Sequence, residues 1–166
     1  MKSLFKSYRY LLFVIAGSFF FFYCVLQVAI VPTDSMSPAV GKGSVVIGLR
    51  HMQPERGDII LFSKGEGTYI KRVVGKGGDT IELKQQGVYR NGEKMEEPYA
   101  CGPTTPMGIT WHIPENAFFV LGDNRTHSLD SRYWQEPYVK EAELKSRVFL
   151  VIAVPHQKGT SPLHVL

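Results

Sequence analysis

Between Arg9 and Asp34 the chain carries no charge. Tyr10–Val31 reads YLLFVIAGSFFFFYCVLQVAIV, 22 residues whose one strongly polar side chain is Gln27. A helix of that length is about 33 Å long, enough to cross a hydrocarbon core of about 30 Å. The rival reading is a cleaved secretory leader, whose apolar region runs to about 7–15 residues and ends in a small-x-small site. This run is longer and ends in Ile30-Val31-Pro32. The expectation is therefore a basic tail over 1–9 and an uncleaved transmembrane anchor over 10–31. Lys2, Lys6 and Arg9 precede the span, which predicts a cytoplasmic N-terminus and a C-terminal portion outside the cytoplasmic membrane. Cys24 would lie in the bilayer and Cys101 outside it, so they should not pair. Two cysteines also exclude a disulfide scaffold and a cysteine-rich zinc site.

The remainder punctuates heavily. All ten prolines and 15 of the 16 glycines lie after Val31, which leaves little room for long helices. Between the breaks run short segments rich in Val, Ile, Phe and Tyr: 44–49, 58–63, 68–75, 79–83, 117–121 and 147–154. Asn91-Gly92 between two such runs, over 87–94, signals a tight hairpin. Only 138–146 offers a helical turn. The expected fold is mostly β, an antiparallel domain over 32–155, with a loose tail over 156–166. From Asp34 onward 16 Lys/Arg face 15 Asp/Glu, so the pI near 9.1 reflects the basic tail and gives no nucleic-acid footprint.

The chemistry-bearing residues reduce to three segments. There is no H-E-x-x-H, no C-x-x-C, no Walker loop and no G-x-S-x-G elbow. His51, His112, His127, His156 and His164 are scattered without ligand spacing. What stands out is Pro32-Thr33-Asp34-Ser35-Met36-Ser37-Pro38, then Tyr69-Ile70-Lys71-Arg72-Val73-Val74-Gly75, then Gly122-Asp123-Asn124-Arg125-Thr126-His127-Ser128-Leu129-Asp130-Ser131-Arg132. Lys71 sits inside an apolar strand. Either it reaches water on the exposed face, or it faces inward, where desolvation removes its proton and makes it a competent base for a serine hydroxyl.

The three segments together, in this order, resemble bacterial signal peptidase I, and the resemblance covers the chain from the anchor to about Val154. It implies a membrane-anchored serine endopeptidase with a serine–lysine dyad that cleaves signal peptides from exported preproteins at the outer face of the membrane. It implies Ser35 as nucleophile, Lys71 as general base, Thr33 as a contributor to the oxyanion hole, Ser128 as the serine that orients the lysine amine, and Asp130 with Arg132 as a structural ion pair. Asp123, Asn124 and Arg125 belong to the same box as loop-shaping residues. Ser37 and Ser131 stand outside the chemistry. Such a mechanism needs no metal or cofactor. Its partners would be preproteins and the lipid bilayer.

Two departures concern loops. Pro38-Ala39 stands where many members have Pro-Thr, and Gly77-Gly78-Asp79 where many have Pro-Gly-Asp. The competing readings are a relative that processes conjugation or pilus proteins with the same dyad, and a non-catalytic membrane-tethered β module. Self-cleaving repressors share a Ser-Lys pair but carry a DNA-binding helical domain where this chain has its apolar run.

Overall fold

The computed structural model describes residues 2–153 and 163–165. One helix, α1 (Lys2–Val25), is followed at once by β1 (Leu26–Ile30). The stretch Tyr8–Val25 is long and apolar enough to cross a membrane by length and composition, and none of it is buried by the protein. The helix expected to run to Val31 thus ends six residues early. Leu26–Ile30 lies antiparallel to β2 (Val45–Leu49), from Leu26 opposite Leu49 to Ile30 opposite Val45. Val28 and Ile30 are exposed while Ala29 packs on the core, the period-two pattern of a strand. Hydropathy alone cannot separate this apolar edge strand from the last turns of a span.

β3 (Ile59–Lys64) and β4 (Gly67–Lys76) form a hairpin, followed by β5 (Thr80–Lys84), β6 (Gly87–Arg90), β7 (Glu93–Lys94), β8 (Ile109–His112), β9 (Ala117–Leu121), β10 (Val139–Lys140), β11 (Leu144–Ile152) and β12 (Leu163–Val165). Of the strands after β1, β2 to β7, β9 and β11 overlap the β-rich runs and the hairpin expected from the sequence, whereas β8, β10 and β12 lie outside them. One sheet has the order β1-β2-β11-β3-β4-β9-β10, with β12 added to β11; the other has the order β7-β6-β5-β8. All pairings between these strands are antiparallel. The Asn91-Gly92 turn has positive φ at both residues, 55° and 85°, which is what a two-residue hairpin loop of this hand demands. The helical turn foreseen over 138–146 is only Glu141–Glu143, a single 3-10 turn between β10 and β11. β8 had no clear signal in the sequence.

The core lies on both faces of the large sheet. Ile59 and Leu61 join Val31, Met36, Val40, Val46, Ile70, Val148 and Val151 on one face. Ile60 and Phe62 join Val73, Phe118, Val120 and Val139 on the other. Four consecutive buried apolar residues in β3 fit a strand covered on both sides, each side chain contributing about 1.5–3 kcal/mol of transfer energy. A third cluster, from Val74 and Ile81 to Phe119 and Leu121, joins the two sheets. The tail expected to be loose from His156 is paired at Leu163–Val165, which lie opposite Ile152–Leu150 of β11. The rest of that tail lies outside the described residues. Both cysteines are free.

Candidate active site

The turn after β1 carries the first segment. Val31 and Met36 are buried core residues that bracket the exposed Pro32-Thr33-Asp34, so the chain must loop outward and return at Ser35. Ile70, which precedes Lys71 in β4, packs in the same cluster as Met36. The same apolar contacts that build the core therefore bring Ser35 beside Lys71.

Lys71 Nζ lies 2.7 Å from Ser35 Oγ and donates to the Ile70 carbonyl at 2.9 Å. Lys71 is 3% exposed and Ser35 6%. Of the two readings open for Lys71, the inward one holds. Burial pushes its ammonium down from an ordinary value of 10.5 to about 8, against the upward pull of Asp130 and Asp123 and with a smaller downward push from Arg132. Thr33 Oγ1 stands 3.3 Å from Ser35 Oγ. Among the described residues no hydrogen bond takes up the Ser35 N–H.

The third segment closes over the pair from the end of β9. Gly122 is required there by close approach: a Cβ at this position would collide with Ser128 and come within 2.6 Å of the Ser35 carbonyl oxygen. The Asp130 carboxylate is gripped by Arg132 through Nε at 2.8 Å and a second nitrogen at 2.9 Å, and it accepts from the Gly122 N–H at 2.9 Å. Neither side chain of this pair is exposed at all. Arg132 also donates to the carbonyls of Thr105 and Arg125. The Ser128 hydroxyl donates to Asp130 Oδ2 at 2.6 Å. It makes no hydrogen bond to Lys71 among the described residues, contrary to the expectation that it orients the amine directly. Its proton goes to the Asp130 carboxylate, and its oxygen, which could still accept from an amine, takes no hydrogen bond from Lys71 among the described residues. The second partner of Lys71 is the Ile70 carbonyl instead.

Sequence reasoning left several contacts unseen. Arg72 pairs bidentately with Asp123 at 2.8 and 2.6 Å, donates to the Gly57 carbonyl, and lies 4.1 Å above the Tyr99 ring. Arg125 pairs with Glu97 at 3.0 and 2.6 Å and reaches Thr104. Asn124 donates through its backbone to the Ser35 carbonyl at 3.1 Å and through its amide to the Asp34 carbonyl at 3.3 Å. The signal available was thin: a cation beside Lys71 and an anion in the third segment, 51 residues apart. Among the described residues no cluster of His, Cys, Asp and Glu could hold a metal ion.

Beside the dyad, the edge of β4 is half used. β3 pairs along Gly67–Arg72, whereas β9 pairs only from Arg72 to Lys76. The backbone of Thr68–Lys71 is thus unpaired by β9 on its second edge. Among the described residues β1 pairs only with β2.

Comparison with known proteins gives a consistent set of likenesses. The family described as signal peptidase, peptidase S26, matches residues 4–153. A probable signal peptidase I-2 of Synechocystis sp. is 31% identical over 138 residues, covering 76% of this chain and 62% of its own. Signal peptidase I S of Bacillus subtilis is 38% identical over 90 residues, 47% of this chain and 48% of its own. Signal peptidase I of Pseudomonas aeruginosa is 31% identical over 157 residues, 66% of this chain and 55% of its own. A crystal structure of a signal peptidase I from Enterococcus faecalis is 30% identical, covers 58% of this chain and 97% of that one, and has a TM-score of 0.49. The chain spans between about half and less than two thirds of the length of these curated relatives.

Proposed function

The chain belongs to the peptidase S26 family of signal peptidases, and on that premise we propose that it is a membrane-anchored serine endopeptidase that removes signal peptides from exported preproteins. The observation that carries the reading is the 2.7 Å contact between a buried lysine, half neutral near pH 8, and a serine hydroxyl. A serine hydroxyl is a poor nucleophile until a base takes its proton. Neutral Lys71 accepts the Ser35 proton through its lone pair, while its hydrogen bond to the Ile70 carbonyl keeps the amine in place. Ser35 Oγ attacks the scissile carbonyl. The oxyanion is met by the free Ser35 N–H and the Thr33 hydroxyl. Lys71 returns the proton to the leaving amine, then activates water to release the acyl group. Ser128 acts through Asp130, and Asp130 with Arg132 holds the loop that closes the site.

The substrate reaches this site as an extended chain. The unpaired edge of β4 at Thr68–Lys71 supports strand addition beside the dyad, and the half-used backbone there supplies donors and acceptors independent of sequence. Specificity follows from shallow apolar walls that take small residues at the first and third positions before the cut. The helix α1 is the anchor, with Lys2, Lys6 and Arg9 on the cytoplasmic side and the β domain outside the cytoplasmic membrane. That topology delivers Ser35 to the face where a translocated cleavage site emerges.

The test is cleavage of a model preprotein by the purified full chain and by its Ser35→Ala and Lys71→Ala variants, with the cut mapped. Because the two residues act as one unit, each variant should be inert and the double variant scarcely worse. Wild-type turnover by a folded Lys71→Ala chain would overturn the serine–lysine dyad, and absence of cleavage by the folded wild-type chain would favour a non-catalytic tethered module.

A further inference from the structure

Among backbone groups, the proposed oxyanion donor is the Ser35 N–H, and a role for any residue in aiming it rests on that reading. This N–H shares a peptide plane with the Asp34 carbonyl. The bond between them is trans, so the two groups point in opposite directions across one rigid unit. Whatever holds the Asp34 oxygen therefore aims the Ser35 N–H. Two donors hold it: the Ser37 N–H at 3.0 Å and the Asn124 side-chain amide at 3.3 Å. The Asn124 backbone N–H holds the next carbonyl, that of Ser35, at 3.1 Å. One residue thus grips the carbonyls on both sides of the nucleophile. Its amide has one workable orientation, because the Asp34 oxygen can only accept and Asn124 Oδ1 takes the Thr126 hydroxyl at 3.1 Å.

We propose that Asn124 is a positioning residue for the oxyanion hole, aiming and strengthening the Ser35 N–H through the Asp34 carbonyl without touching substrate. A hydrogen bond accepted by a peptide oxygen draws electron density from its nitrogen, and the N–H at the far end becomes a better donor. This matters most when negative charge has developed on the substrate oxygen. Loss of the amide should accordingly weaken transition-state binding and leave ground-state binding alone.

The experiment compares Asn124→Ala and Asn124→Asp with wild type, as full chains in detergent, on a preprotein ending its signal in Ala-x-Ala. Both variants keep the backbone bond to the Ser35 carbonyl. The expected result is a fall in kcat of about tenfold, a KM within about twofold, and an unshifted pH limb near 8. Asn124→Asp should be at least as slow as Asn124→Ala, because it sets a carboxylate oxygen against the Asp34 oxygen. A peptide aldehyde, which forms a tetrahedral adduct on Ser35, should lose about tenfold in affinity, while the matching peptide alcohol should lose none. The ratio of those two affinities is read on folded protein and stands even if a variant melts earlier. An unchanged aldehyde-to-alcohol ratio, or kcat within about twofold of wild type, would overturn the proposal. Ser35→Ala run in parallel separates the failures. If it still cleaves, the proposed chemistry is wrong; if it is inert while the Asn124 variants are fully active, only the role of Asn124 is wrong.

Discussion

Replacing Lys71 with methionine should make the fold more stable at neutral pH and less stable at high pH. The amine titrates near 8 in the folded chain and near 10.5 when unfolded. At about 1.4 kcal/mol per pH unit, holding its charge inside the domain costs about 3 kcal/mol. The folded value is the lower one, so between pH 8 and 10.5 the unfolded state binds more protons, and wild-type stability rises through that window. Below pH 8 the whole cost is present; above about 10.5 it has vanished. Methionine keeps an unbranched apolar stem and removes the charge, but it forfeits the bonds to Ser35 Oγ and the Ile70 carbonyl, about 1 kcal/mol each. The net is a variant about 1 kcal/mol more stable at pH 7 and about 2 kcal/mol less stable at pH 10.5. At roughly 3 °C per kcal/mol for a domain of this size, the difference in Tm should swing by about 9 °C and change sign. Thermal unfolding of both full chains in the same detergent, from about pH 6.5 to 10.5, reads it directly, and the other titrating groups cancel in the difference. A difference that stays flat with pH, or a variant less stable than wild type at neutral pH, would refute the reasoning.

Three further outcomes are expected. Asp130→Ala leaves Arg132 charged, buried and without its carboxylate, and should cost about 3–5 kcal/mol, seen as a Tm lower by about 10 °C along with lost activity; an unchanged Tm would assign Asp130 a direct part in the chemistry instead. Gly122→Ala forces a methyl group against Ser128 and the Ser35 carbonyl oxygen, so turnover should fall about 100-fold with a loss of about 1–3 kcal/mol in stability, and near-normal turnover would show that the site tolerates displacement of Ser35. A substrate ending Ala-x-Ala should be cut, whereas Asp or Trp at either alanine position should abolish kcat/KM, since an apolar wall rejects one by desolvation and the other by clash; equal cleavage after Lys, Asp or Trp would overturn the proposed substrate class.

The strands were readable because their residues are buried on a regular period between Gly, Pro and Asn breaks. The antiparallel sheets follow from that spacing, and β3, β5, β6 and β9 lie within a residue or so of the expected runs. β1 escaped because an apolar strand that follows an apolar helix without a break leaves no change of composition at Val25. The site was readable as far as local segments went: Ser35, Lys71 and the third segment announce themselves by neighbours in sequence. The links between segments did not. Arg72 meets Asp123 only because β4 and β9 pair with Arg72 opposite Leu121, and Asn124 meets Asp34 only because the turn after β9 passes over the turn after β1. No local pattern encodes such a meeting. Ser128 illustrates the converse: its place in the segment was clear, but the direction of its proton depends on the Asp130 carboxylate lying within 2.6 Å.

The junction between helix and sheet has a mechanical consequence. Val25 ends α1 and Leu26 begins β1 with no residue between them. Arg50 stitches the seam from the end of the neighbouring strand, its backbone N–H on the Val25 carbonyl and its Nε on the Leu26 carbonyl. Those two bonds restrain the swivel that a linker would provide. For a spanning helix, a tilt of the helix then carries over to the strand that follows it. The five residues of β1, at about 3.3 Å each, set a fixed stand-off of roughly 16 Å between the helix end and the turn that carries Ser35. On the proposed topology, the depth at which Ser35 meets a substrate is therefore set by strand length, and a glycine-serine insert before Leu26 would turn a gauge into a tether.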